Sequence, residues 1–218
     1  MPPETVTPLE AWLDCVAGCA HRTEPYDHWL LDRALPDPLI RQLAALPFAG
    51  PPTARFEGRR EEHNATRVYF NPANRARYPA CKQTARLFGS PQAIAALEEL
   101  TGADLSQGQL RIEYCQDIDG FWLEPHRDVS AKLLTLLIYL SNDPDLADAG
   151  TDIYGPPPDH AAAGRAPFAA SKGLIFIPGE TTWHGFTPRP IRCLRKSIIV
   201  NYVSRDWRSR EELAFPED

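Results

Sequence analysis

Three stretches in the first hundred residues carry apolar side chains at helical spacing. "LEAWLDCVAGCA" from Leu9, "DPLIRQLAAL" from Asp37 and "SPQAIAALEEL" from Ser90 each repeat near i, i+3, i+4, and the last opens on the Ser-Pro pair that suits a helix start. Between them "ATRVYFNP", Ala65 to Pro72, is β-branched and aromatic and ends in Asn-Pro, which predicts a strand able to pair with a later sheet. From Gln109 the pattern changes. "QLRIEYCQ", "FWLEPHRD", "LLTLLIYLS", "TDIYG", "GLIFIPG", "TWHGFTP" and "RKSIIVNYV" are short strand-like runs separated by Gly, Pro, Asn and Asp. Such a series predicts an all-β barrel or jelly roll. No internal repeat is visible, and "GPPPDHAAAGRAP", Gly155 to Pro167, reads as one surface loop. The expectation is a single domain over 1–218. Residues 1–108 form a mainly helical support with one or two strands, and 109–205 form the jelly-roll core.

Composition narrows the function classes. The 218 residues are 43% hydrophobic and 24% charged with 22 prolines, as in a loop-rich globular protein, and the length suits one sizeable core. A net charge of -6 and a pI near 5.5 argue against duplex nucleic acid and anionic membranes as partners and favour a small ligand. The five cysteines, Cys15, Cys19, Cys81, Cys115 and Cys193, contain no C-x-x-C pair, so neither a disulfide framework nor a thiolate zinc site is expected. With no signal-like start and no long apolar run, the expected location is the cytoplasm.

The candidate chemistry sits where polar residues interrupt the strand pattern. His126 and Asp128 precede a run, Leu133 to Leu140, that is apolar or aromatic at every position but Thr135. Side chains two apart on a strand share a face, so an imidazole and a carboxylate would stand side by side. With six histidines and fifteen aspartates in the chain, His-x-Asp arises by chance about 0.4 times, so the tripeptide alone decides nothing. His184, in "TWHGF", supplies a third ligand. Two His and one Asp form the facial set of a non-haem Fe(II) oxygenase, with open positions for cosubstrate and O2; a catalytic zinc with the same three ligands stays open. Arg195 follows eleven residues after His184 at the head of an apolar strand, with Ser197 on the same face. A guanidinium there suits the far carboxylate of a dicarboxylate, although a surface ion pair reads equally well for Arg195 alone.

Taken together, "HRD" (126–128), "WHGF" with His184 and "RKS" (195–197) resemble the 2-oxoglutarate/Fe(II)-dependent dioxygenases of the prolyl-hydroxylase-like kind, over roughly residues 109–203. "HWLLDRALPDPLIRQLAAL" is similar to the strand and helix that precede that core. The resemblance implies a double-stranded β-helix, a jelly roll of the cupin-like kind, with Fe(II) on His126, Asp128 and His184. It implies 2-oxoglutarate as cosubstrate, its 5-carboxylate on Arg195 and Ser197, with O2 as co-reactant and ascorbate as a stimulant. Tyr114 and Tyr139 stand where tyrosines complete that pocket, and each reads equally as a core aromatic. The implied reaction is oxidative decarboxylation to succinate and CO2 coupled to hydroxylation. A carboxylate at position 128 disfavours halogenation.

Candidate substrate residues are Trp122 and Arg127 beside the first ligands, Trp183 beside His184, and Asn64 and Arg67 on the early strand. Arg with aromatic neighbours suits a small anionic substrate. For each tryptophan the core role competes. The alternative class is a non-catalytic cupin-type protein that binds or senses a metal or small molecule, which the Arg195/Ser197 pair disfavours.

Overall fold

Proline sets where each α-helix among the described residues begins. The computed structural model describes residues 6–51, 58 and 67–216. Helices α1 (Pro8–Gly18), α2 (Asp37–Ala44), α3 (Pro72–Arg77), α4 (Pro79–Phe88) and α5 (Pro91–Thr101) all carry Pro in their first positions, where a missing N–H removes no helix bond. Thr7 caps α1 reciprocally: its hydroxyl accepts from Glu10 N at 3.2 Å, and Glu10 Oε2 accepts from Thr7 N at 2.8 Å. Ser90 caps α5, which stops at Gly102 in the left-handed region, φ 73°. The three expected helices are α1, α2 and α5. The sequence pattern did not announce α3 and α4; α4 buries mostly small side chains (Ala80, Cys81, Thr84, Ala85) before Leu87 and Phe88, a weak hydrophobic signal.

Among the described residues the chain forms eleven strands. From the amino-terminal part come β1 (Ala20–Arg22), β2 (His28–Leu31) and β3 (Val68–Tyr69), three strands rather than one or two. The "ATRVYFNP" strand is confined to Val68–Tyr69, because Asn71 already caps α3; residues 65 and 66 lie outside the described residues. The remainder are β4 (Gln109–Asp117), β5 (Leu123–His126), β6 (Lys132–Tyr139), β7 (Asp152–Tyr154), β8 (Ala162–Arg165), β9 (Gly173–Phe176), β10 (His184–Phe186) and β11 (Arg195–Val203). The segment Gly155–Pro167 is therefore not one loop. Its β8 pairs with β7, and since all four of its side chains are exposed it has no apolar alternation to read.

The strands form two antiparallel sheets. One has seven strands in the order β1-β2-β9-β6-β11-β4-β3, the other four in the order β5-β10-β7-β8. Parity separates two cores. On β11, Ile198, Val200 and Tyr202 join Ile112 and Tyr114 of β4 against the helical residues Trp12, Leu39, Leu43, Phe88 and Leu97. One residue out of step, Ile199 of β11, Leu137 and Tyr139 of β6 and Phe176 of β9 pack with Ile153 and Phe186 of the smaller sheet. That second face also carries the polar exceptions Arg111, Glu113, Asp117, Thr135, Arg195, Ser197 and Asn201, all buried. Buried polar side chains need partners, so their concentration on one face marks the site.

Candidate metal centre and cosubstrate pocket

Strand pairing brings the two histidines together. His126 ends β5 and His184 opens β10, and the two are direct partners in the antiparallel register, with ring centroids 4.4 Å apart. The neighbouring glycine makes this approach possible: a Cβ on Gly185 would lie 2.8 Å from the Leu123 carbonyl oxygen and 2.9 Å from that of Glu124. Asp128 lies two residues past the end of β5, and ligand atoms of His126, Asp128 and His184 lie within 4.8 Å of one another.

The surroundings fix each ligand. Nδ1 of His126 is 2.8 Å from the Glu124 carbonyl oxygen and Nδ1 of His184 is 3.0 Å from that of Thr182. A carbonyl only accepts, so Nδ1 carries the proton in both rings and Nε2 presents its lone pair. His184 is 4% exposed; burial, then the nearby His126, lower its pKa to about 3, which keeps the ring neutral. The Asp128 carboxylate accepts from Thr135 Oγ1 at 2.7 Å and from Lys132 Nζ at 2.6 Å. Behind it, Asn201 Nδ2 donates to Thr135 Oγ1 at 2.9 Å, and Asn201 Oδ1 accepts from Arg111 Nη1 at 3.2 Å, which also reaches Glu113 at 3.0 Å. Two imidazoles, each held at Nδ1 by a backbone carbonyl, and one held carboxylate are the donor set that suits a divalent cation of intermediate softness.

One cavity is lined by His184 and Thr135 and also by Arg195, Ser197 and Thr151, with Phe121, Leu123, Leu137, Phe186 and Ile199 as apolar wall. Arg195 is 5% exposed; its Nε donates to the Ala149 carbonyl at 2.7 Å and its Nη1 to Asp117. The guanidinium carbon lies 5.0 Å from the Phe186 ring centre and 5.6 Å from that of Tyr139. Tyr139 shares this face, its hydroxyl donating to Thr151 Oγ1 at 2.9 Å.

Other expected residues are placed differently. Tyr114 borders the cavity, but its side chain packs on the helical side: it sits opposite Ile198, one step from Ser197, and its hydroxyl donates to the Leu43 carbonyl at 3.1 Å. Arg67 lines the cavity, with Nε 3.2 Å from Glu113. Trp122, Arg127 and Trp183 are not among the lining residues. The Trp122 indole packs on Gly58, while Arg127 lies over the Trp183 ring at 5.1 Å, pairs with Glu180, and shares that ring with His160. Asn64 lies outside the described residues. Lys132, Thr135, Arg111, Glu113 and Asp117 were not foreseen. Thr135, the single polar residue of an apolar run, and the inward-parity Arg111, Glu113 and Asp117 were the available signals.

No protein-family model and no curated protein matches the chain. Solved structures do. A Pseudomonas putida prolyl-4-hydroxylase aligns with a TM-score of 0.56 at 19% identity, over 94% of this chain and 97% of its own. A Trichoplax adhaerens prolyl hydroxylase, in complex with a hypoxia inducible factor peptide fragment, aligns at 0.55 and 13% identity over 89% and 88%. The chain shares their fold, the double-stranded β-helix. The non-heme alpha ketoglutarate dependent epimerase of nogalamycin biosynthesis aligns at 0.51 and 16% identity over 90% and 83%. All five cysteines of this fold are free thiols, and among the described residues no helix is long and apolar enough to cross a membrane.

Proposed function

We propose that the protein is an Fe(II)- and 2-oxoglutarate-dependent oxygenase that hydroxylates a small molecule, with release of succinate and CO2. The observation that carries this reading is a single cavity lined by the ligand His184, by Thr135, which bonds the Asp128 carboxylate, and by the buried Arg195. His126 and His184, through Nε2, and Asp128, through its carboxylate, would hold the iron. When bound, iron with 2-oxoglutarate and O2 supplies the oxidising power, which no side chain here provides.

The chain's own residues hold, orient and exclude. Backbone carbonyls of Glu124 and Thr182 fix the two imidazole tautomers, and Thr135 fixes the carboxylate. Arg195 and Ser197, beside Tyr139, receive the distal carboxylate of the cosubstrate. Phe121, Leu137, Phe186 and Ile199 exclude water between the two ends of the pocket. Arg67, on the cavity wall, supports an anionic group on the substrate. A peptidyl substrate is the second reading, supported by the fold likeness to prolyl hydroxylases, one of them bound to a peptide.

The test uses the purified chain with Fe(II), 2-oxoglutarate and O2. Succinate forms slowly without substrate, and a screen of amino acids, nucleosides, sugars, acyl metabolites and proline peptides finds the class that accelerates it. Under anaerobic conditions Fe(II) and 2-oxoglutarate together give a visible charge-transfer band. A spectrum identical to the free components, with no succinate, supports a binding module instead.

A further inference from the structure

The arginine assigned to the cosubstrate already has a carboxylate against it. Asp117 ends β4 opposite Arg195 in the β4–β11 register, and its Oδ2 accepts from Arg195 Nη1. The side chains are 11% and 6% exposed, both residues line the cavity, and Arg195 Nε is committed to the Ala149 carbonyl. A guanidinium has five N–H donors, and its strongest hold on a carboxylate is a fork of two parallel bonds. With Nε on the Ala149 carbonyl and one Nη1 hydrogen on Asp117, three of the five N–H groups remain, and an incoming carboxylate shares the guanidinium with a like charge beside it. The neighbouring cation gives little relief: Arg189, across the Phe186 ring at 3.7 Å, is bonded to Asp152 at 2.6 Å and to the Gly150 carbonyl.

We propose that Asp117 is an intramolecular competitor for Arg195, which sets how tightly the distal carboxylate of a 2-oxo dicarboxylate is held and narrows the advantage of that acid over one with an uncharged tail. This rests on the proposed cosubstrate role of the pocket. The effect belongs to the distal end alone, because Asp117 is not among the metal ligands, so binding of the 2-oxo acid head is independent of it.

The experiment titrates 2-oxoglutarate, and separately 2-oxopentanoate, which has the same five-carbon chain without the second carboxylate, into the full chain loaded with Mn(II), by calorimetry. Asp117→Asn keeps the size and an acceptor oxygen for Arg195 while removing the charge. It binds 2-oxoglutarate about tenfold more tightly or better, as expected from removing a like charge at a buried site. Affinity for 2-oxopentanoate stays the same. Asp117→Ser, with a matching circular dichroism spectrum as folding control, shifts the same way. Equal or weaker binding of 2-oxoglutarate by both variants overturns the competitor role and makes Asp117 a support for Arg195. If neither wild type nor variant binds 2-oxoglutarate, the cosubstrate reading falls and this inference with it.

Discussion

Asp128 belongs to the ligand group and Arg195 lines the cavity beside His184, and the contacts of each predict different losses. Asp128 is one of three converging ligand groups, whereas Arg195 has no ligand atom in that set. Asp128→Ala is expected to abolish succinate formation and weaken Mn(II) binding. Arg195→Ala should retain the metal while raising the 2-oxoglutarate concentration needed for half-maximal rate about tenfold or more, the loss of a charge-assisted bond. Metal titrations alongside initial rates check both; equal metal loss in the two variants would contradict the division. Thr135 acts at one remove. Its hydroxyl donates to Asp128 and accepts from Asn201, so Thr135→Val, nearly isosteric, leaves the carboxylate without that donor. An outer partner of this kind is worth about tenfold in metal affinity, which calorimetry with Mn(II) measures directly.

At the scale of elements, the metal ligands depend on how closely β5 and β10 approach. Gly185→Ala would drive a Cβ into backbone oxygens of Leu123 and Glu124, which cannot rotate away as a side chain can. The expected cost is about 1–3 kcal/mol of stability, with loss of Mn(II) binding as the His126–His184 pairing opens; thermal melts and metal titration follow the two effects. The chain pattern made this element legible, since strand-like runs ending in "PHRD" and opening with "WHGF" marked the ligand positions. Register was not legible. Tyr114 and Tyr139 both flank the His-x-Asp segment in sequence, yet only the pairing of β11 with β4 on one side and β6 on the other shows that Tyr114 opposes Ile198 and so faces the helices, while Tyr139 opposes Ser197 on the cavity side. Asp117 was hidden for the same reason: its meeting with Arg195 is a cross-strand event, and residues 78 positions apart carry no local signature. Helix α4 went unread because small buried residues give little contrast, and β8 because an exposed Ala-Ala-Gly-Arg strand has none.

Across the whole molecule, stability is expected to respond to protons and to metal through different parts of the fold. His28, buried on β2, is held below the ordinary imidazole range chiefly by burial, partly offset by its bond to the Tyr26 carbonyl at 2.8 Å. A histidine with a lowered folded pKa binds its proton more readily in the unfolded chain. Its contribution is therefore complete above pH about 6.5 and is lost as pH falls below that value, by at most about 1.4 kcal/mol per pH unit. His28→Gln should flatten the fall of the metal-free unfolding midpoint between pH 6.5 and 5. Metal acts across the two sheets instead. The histidines belong to the four-stranded sheet, while Asp128 is held by Lys132 and Thr135 of β6 in the seven-stranded one, so an ion bound by all three ties one sheet to the other. A ligand that binds only the folded chain stabilises it by about 2.7 kcal/mol at a hundred times its dissociation constant. Mn(II) should accordingly raise the melting temperature by several degrees, a chelator should reverse the rise, and His184→Ala should melt at one temperature whether the metal is present or not, because the surviving two ligands no longer bridge strands β5 and β10.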